Sequence, residues 1–209
     1  MNPKWAEENL QTIRTLMERS ALYRRALAPI MTFVGVVGIV GGLVGCWLRI
    51  DSARGFVFFW SGVAAVALAG AFLLVRRQAL KDSEPFWSPP TRRVAQAMTP
   101  PFFVGAMASA VMVFWGDDFR PQMFFVLVWC WAFGCGIHAA GFFMPRGMKW
   151  LGWTFIGTGS VFLLSGLIPE HDYFKAIDSP NLLMAAIFGG LHLAYGIYLY
   201  FTEKKNPVA

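Results

Sequence analysis

The stretch "GFVFFWSGVAAVALAGAFLLV", residues 55–75, contains no Asp, Glu, Lys or Arg. At 1.5 Å of rise per helical residue it can cross roughly 30 Å of hydrocarbon. Five more charge-free intervals flank it, at 26–48, 94–116, 121–145, 150–169 and 179–202, each about 20 to 25 residues long. Backbone in lipid must bond to itself, and these intervals lack the alternating ten-residue pattern of an outer-membrane barrel. The expected fold is therefore an all-α integral membrane protein, a six-transmembrane-helix bundle over residues 26–205.

Composition agrees. Hydrophobic residues make up 56% of the chain and charged residues only 14%, against about 25% charged in a typical soluble domain. The net charge of +6 would suit nucleic acid, but the cations segregate by membrane side. With the N-terminus inside, cytoplasmic segments hold fourteen Lys and Arg and external loops four. This positive-inside bias places both termini in the cytoplasm, makes the lipid bilayer the expected partner, and leaves nucleic acid out. A bacterial cytoplasmic membrane is the expected location. Cys46, Cys130 and Cys135 lie in apolar runs, so they form no disulfide framework and act as small hydrophobes.

Residues 1–25 carry Glu7, Glu8 and Glu18 and have no apolar core of a signal peptide. Asn2–Pro3 reads as a helix start, and Leu10, Ile13, Met17 and Ala21 recur at helical spacing. The pattern predicts an amphipathic helix on the inner membrane surface, with Trp5 and Tyr23 at the headgroups. Residues 206–209 form a short cytoplasmic tail. The loop 76–93 contains "EPFWSPPTRR", whose prolines predict a stiff connector that lets the second and third helices splay apart. Only residues 102–116 follow Pro101, too few to span, so the third helix has to extend back through Pro100 and Pro101, with a kink or a restart at Thr99. Short connections at 49–54, 117–120 and 146–149 make neighbouring helices antiparallel, giving three successive hairpins.

The first span contains "GVVGIVGGLVG", in which Gly38 and Gly42, and Gly41 and Gly45, are four residues apart. Small residues at this spacing let a second helix approach closely. That helix belongs either to this chain or to another copy, so a homo-oligomer is one expectation.

None of the six intervals contains Asp, Glu, Lys or Arg, which disfavours a proton-coupled carrier. Walker, G-x-S-x-G and H-E-x-x-H motifs are absent, so no enzyme class gains support. Cys135 and His138 share a helical face but supply only two of the four usual zinc ligands. His138 in "FGCGIHAAGFF" and His192 in "FGGLHLAYG" are the histidines inside the spans, roughly 12 and 16 Å from the inner boundary at 1.5 Å per residue. Each has glycine about one turn away on both sides: Gly134 and Gly141, Gly189 and Gly196. The glycines make room for something flat or for another helix. The first option is a b-type haem held by both histidines, with Arg146 or Lys149 near its propionates. The second is neutral imidazoles that hydrogen-bond across helix contacts. Trp129, Trp131, Thr158, Ser160 and Tyr195 are candidates to line a pocket.

Three functions remain open. A non-enzymatic accessory or regulatory subunit working through helix packing and a basic cytoplasmic face, with a membrane or cytoplasmic protein partner, leads. The others are a haem-binding electron-transfer protein and a carrier or pore for a neutral solute or lipid.

Overall fold

The computed structural model describes residues 27–81, 83, 87, 89–114, 121–144, 147–166 and 179–203. The expected surface helix at 1–25, the tail at 206–209 and the external His171 lie outside the described residues. Among the described residues there is no strand. Those residues form six helices in order: α1 (Leu27–Trp47), α2 (Ala53–Lys81), α3 (Pro89–Phe114), α4 (Pro121–Ala140), α5 (Gly147–Gly166) and α6, which comprises Pro180–Met184, a π-helical turn Ala185–Gly190, and Leu191–Glu203. All but α5 combine spanning length with apolar composition. With 20 residues α5 has the length, but Lys149, its glycines and its hydroxyls dilute its apolar content. The chain is a helical integral membrane protein.

Helix ends follow local chemistry, and several depart from the charge boundaries. α2 continues past Arg76 and Arg77 to Lys81, because long basic side chains can lie along a helix end and keep their charges in water. α3 begins at Pro89, since a proline in the first helical turn gives up an N–H that would be unbonded there anyway. The expected connector therefore shrinks to residues 82–88.

The third helix extends back through Pro100 and Pro101 as expected, and of the two alternatives at Thr99 the restart is not seen. Thr99 Oγ1 donates to the Ala95 carbonyl at 2.8 Å. α4 stops at Ala140, where Gly141 N donates to Ile137 O at 2.8 Å and Phe143 N donates to Ala140 O at 2.9 Å, tightening the last turn ahead of Pro145.

α1 ends in a Schellman turn. Arg49 takes the left-handed conformation (φ 51°), Arg49 N donates to Cys46 O, and Ile50 N donates to Gly45 O.

The core draws on α1, α4, α5, α6, one end of α2 and Met112 of α3. Phe56 and Trp60 of α2 pack with Phe125, Val126 and Cys130 of α4, Phe155 of α5, and Leu183 and Ile187 of α6. Beyond Trp60, α2 buries only Ala79. Its inner face meets α1 where Gly41 faces Val63 and Gly70 faces Phe33.

Candidate functional site

The glycine stripe of α1 meets α6 of the same chain. A Cβ added at Gly38 would lie 2.9 Å from Gly189 Cα, and one at Gly45 would lie 2.6 Å from Asn181 Oδ1. Gly35 faces Leu193, and Gly42 faces Ala185. Residue numbers fall along α6 as they rise along α1, so the two helices are antiparallel here. Gly41 faces Val63 of α2, and Gly45 also meets Phe59 of α2. The π-helical turn of α6 lies on this seam, with Gly189 inside it.

One end of the seam is closed by a polar cluster that the sequence did not reveal. Trp60 Nε1 donates to Asn181 Oδ1 at 3.0 Å, and Asn181 Nδ2 donates to Ile50 O at 3.2 Å. Asn181 is only 1% exposed, and both ends of its amide are bonded. Beside it, Cys46 Sγ and Ser179 Oγ lie 3.0 Å apart. This cluster joins α1, α2 and α6. The available signal was an asparagine just inside an apolar interval, where a bonding partner is required.

His192 sits deep between α4, α5 and α6. Its ring centroid is 5.1 Å from that of Phe133 and 5.4 Å from that of Phe155, and those two phenyl rings are 4.9 Å apart. Its Nδ1 is 2.6 Å from the Phe188 carbonyl. A carbonyl oxygen only accepts, so Nδ1 carries the hydrogen, and in the neutral ring Nε2 keeps its lone pair.

His138 occupies different surroundings. Its ring is 5.7 Å from Phe142 and 5.5 Å from Trp153, both exposed, and its Nδ1 lies 3.5 Å from Lys149 O. The two imidazoles share none of these ring neighbours.

The space left by the flanking glycines is filled by helices. Gly134 faces Gly152 and Ile156 of α5, and Gly141 faces Lys149. Gly189 faces Ile39 and Gly38 of α1, and Gly196 faces Thr32 and Met31. Of the two uses foreseen for that room, the structure shows close helix approach.

The other pocket candidates are dispersed. Trp129 Nε1 donates to Ser109 Oγ at 2.9 Å, with its ring against Gly105, and so clips α4 to α3. Trp131 Nε1 donates to Ser160 Oγ at 3.3 Å, with its ring against Gly159, and so clips α4 to α5. Thr158 is half-buried and donates to Thr154 O within α5. The Tyr195 hydroxyl sits against Gly147, and its ring stacks on Tyr198. Among the described residues no three His, Cys, Asp or Glu side chains cluster to hold a metal.

Comparison of the chain with known protein families, with curated proteins and with solved structures finds no match.

Proposed function

We propose that the protein is a non-enzymatic accessory or regulatory membrane subunit that engages another membrane protein through α2. The observation that carries this reading is a stripe of small residues left uncovered on that helix. Ser61, Ala65 and Ala69 follow one another at intervals of four, and all are exposed. A Cβ at neighbouring Gly62 would meet nothing within 4 Å. Along the α1–α6 seam, by contrast, small residues are matched to a close neighbour, as at Gly38 and Gly189. Lipid tails are as apolar as leucine, so close approach of small residues is what favours a second helix over lipid. The bias of Lys and Arg supports three antiparallel hairpins with both termini in the cytoplasm, and a bacterial inner membrane as the setting. The basic end of α2, with Arg76, Arg77 and Lys81, then faces the cytoplasm.

The test is photo-crosslinking in native membranes, with a benzophenone side chain at Ala65 or Ala69, and at Phe103 on exposed α3 as reference. A discrete adduct with one other membrane protein at the α2 positions only is the expected result. An adduct with a second copy redirects the reading to a homo-oligomer, and lipid adducts alone at all three positions refute it.

A b-type haem is a second reading, favoured by one observation: Nδ1–H of His192 bonded to a carbonyl leaves Nε2 free to bind iron, the arrangement that tunes a ligating histidine. It requires His138 and His192 to be brought onto one iron, although their rings lie in separate surroundings. Oxidised and dithionite-reduced spectra of protein expressed with ample haem distinguish it. A Soret band lost in both His138→Ala and His192→Ala supports haem, and a flat visible spectrum removes it.

A further inference from the structure

We infer that the corner where α3 meets the turn between α4 and α5 binds the headgroup of an anionic phospholipid from the leaflet at that end of the bundle. Two cations from different helices each lie over a ring of that turn. The guanidinium carbon of Arg93, on α3, lies 5.8 Å from the centre of the Phe143 ring, and Lys149 Nζ, on α5, lies 3.6 Å from the centre of the Phe142 ring. The two rings are consecutive in the turn and exposed, at 65% for Phe142 and 42% for Phe143.

A ring face attracts a cation through its quadrupole but carries no net charge, so it orients the ammonium and guanidinium without neutralising them. Their remaining N–H donors suit phosphate oxygens. Asp51 is the one aspartate or glutamate whose side chain is described, and it lies at the opposite end of α4, where its carbonyl accepts from Gln122. Among the described residues nothing offsets the positive charge at the corner.

The apolar part of the corner argues for a lipid over a soluble anion. The His138 ring stands edge-on to Phe142 and at a steep angle to Trp153, and so props both. Exposed Trp153, with Phe142, extends from the cations along the bundle as a shelf for the glycerol and upper acyl chain. Cations at one level with aromatic rings beside them match a phospholipid, which carries its phosphate directly above its apolar chains.

The experiment places the full-length protein in nanodiscs of phosphatidylcholine with a minor fraction of phosphatidylglycerol and counts retained lipids by native mass spectrometry. Wild type retains phosphatidylglycerol preferentially. Each cation lost lowers that preference by about fivefold, and the R93Q/K149Q pair by about twentyfold. The R76Q/R77Q pair, which removes the same charge from α2, leaves it within about twofold.

Equal retention of both lipids by wild type overturns the inference, as does an equal loss in the two pairs. If R93Q/K149Q does not fold, photoreactive phosphatidylglycerol on the wild type decides. Adducts within residues 141–153 support the site, and adducts concentrated near Arg76, Arg77 and Lys81 overturn it.

Discussion

Gly38→Val, set against Gly62→Val, tests whether the α1–α6 seam organises the bundle. A Cβ at Gly38 would lie 2.9 Å from Gly189 Cα and 3.0 Å from Gly189 N. Carbon atoms prefer a separation of about 3.5 to 4 Å, so the shortfall is about 0.6 to 1 Å. The obstructing atoms belong to the backbone of α6 and have no rotamer by which to yield, so the helices have to part. A gap of that size forfeits about a quarter to a half of the dispersion energy of each atom pair along the seam. The parting would also loosen the contacts of Gly35 with Leu193 and of Gly42 with Ala185. Overpacking of this kind costs about 1 to 3 kcal/mol, and the branched side chain against backbone places this case near 3. At Gly62 the same side chain enters open space, and the expected change is within about 0.5 kcal/mol. The assay is thermal unfolding of each purified variant in mild detergent, followed by tryptophan fluorescence. Gly38→Val should lower the midpoint by about 5 to 10 °C relative to wild type. A shift at Gly62 equal to that at Gly38 would refute the assignment of the seam.

Two further outcomes follow from the polar contacts. Asn181→Leu strands the Trp60 N–H and the Ile50 carbonyl in a buried setting and should cost about 1 to 3 kcal/mol in the same unfolding assay. Trp129→Phe keeps an aromatic ring against Gly105 but removes the bond to Ser109, and should cost about 0.6 kcal/mol, as interhelical bonds in membranes do. A loss several times larger would mean that the indole fills space a phenyl ring cannot.

The histidines show how far a linear pattern can be read. Glycines one turn from each imidazole announced a lack of side chains, which is a local property visible in "FGCGIHAAGFF". What enters the space depends on the opposing surface: α5 at Gly134 and α1 at Gly189. Trp129 and Trp131 were legible as deep aromatics on different faces of one helix. Their roles as clips to α3 and α5 depend on Ser109 and Ser160, which lie far away in sequence. At Pro100 and Pro101 the local rule offered a kink or a restart, and α3 runs through both prolines without a restart.

By itself the sequence determined that this chain is helical, that it lives in a membrane, and where its spans lie to within a turn or two. The reason is that the cost of placing a charge or an unbonded peptide in hydrocarbon is incurred residue by residue, whatever the helix packs against. Only the tertiary structure decided that the α1 glycines pair with α6, that Asn181 joins Trp60 to Ile50, that His138 and His192 have separate ring neighbours, and that the small-residue stripe of α2 is left uncovered. Each of these depends on which faces meet, and in lipid that is decided by packing and hydrogen bonding between residues as far apart as Gly38 and Gly189.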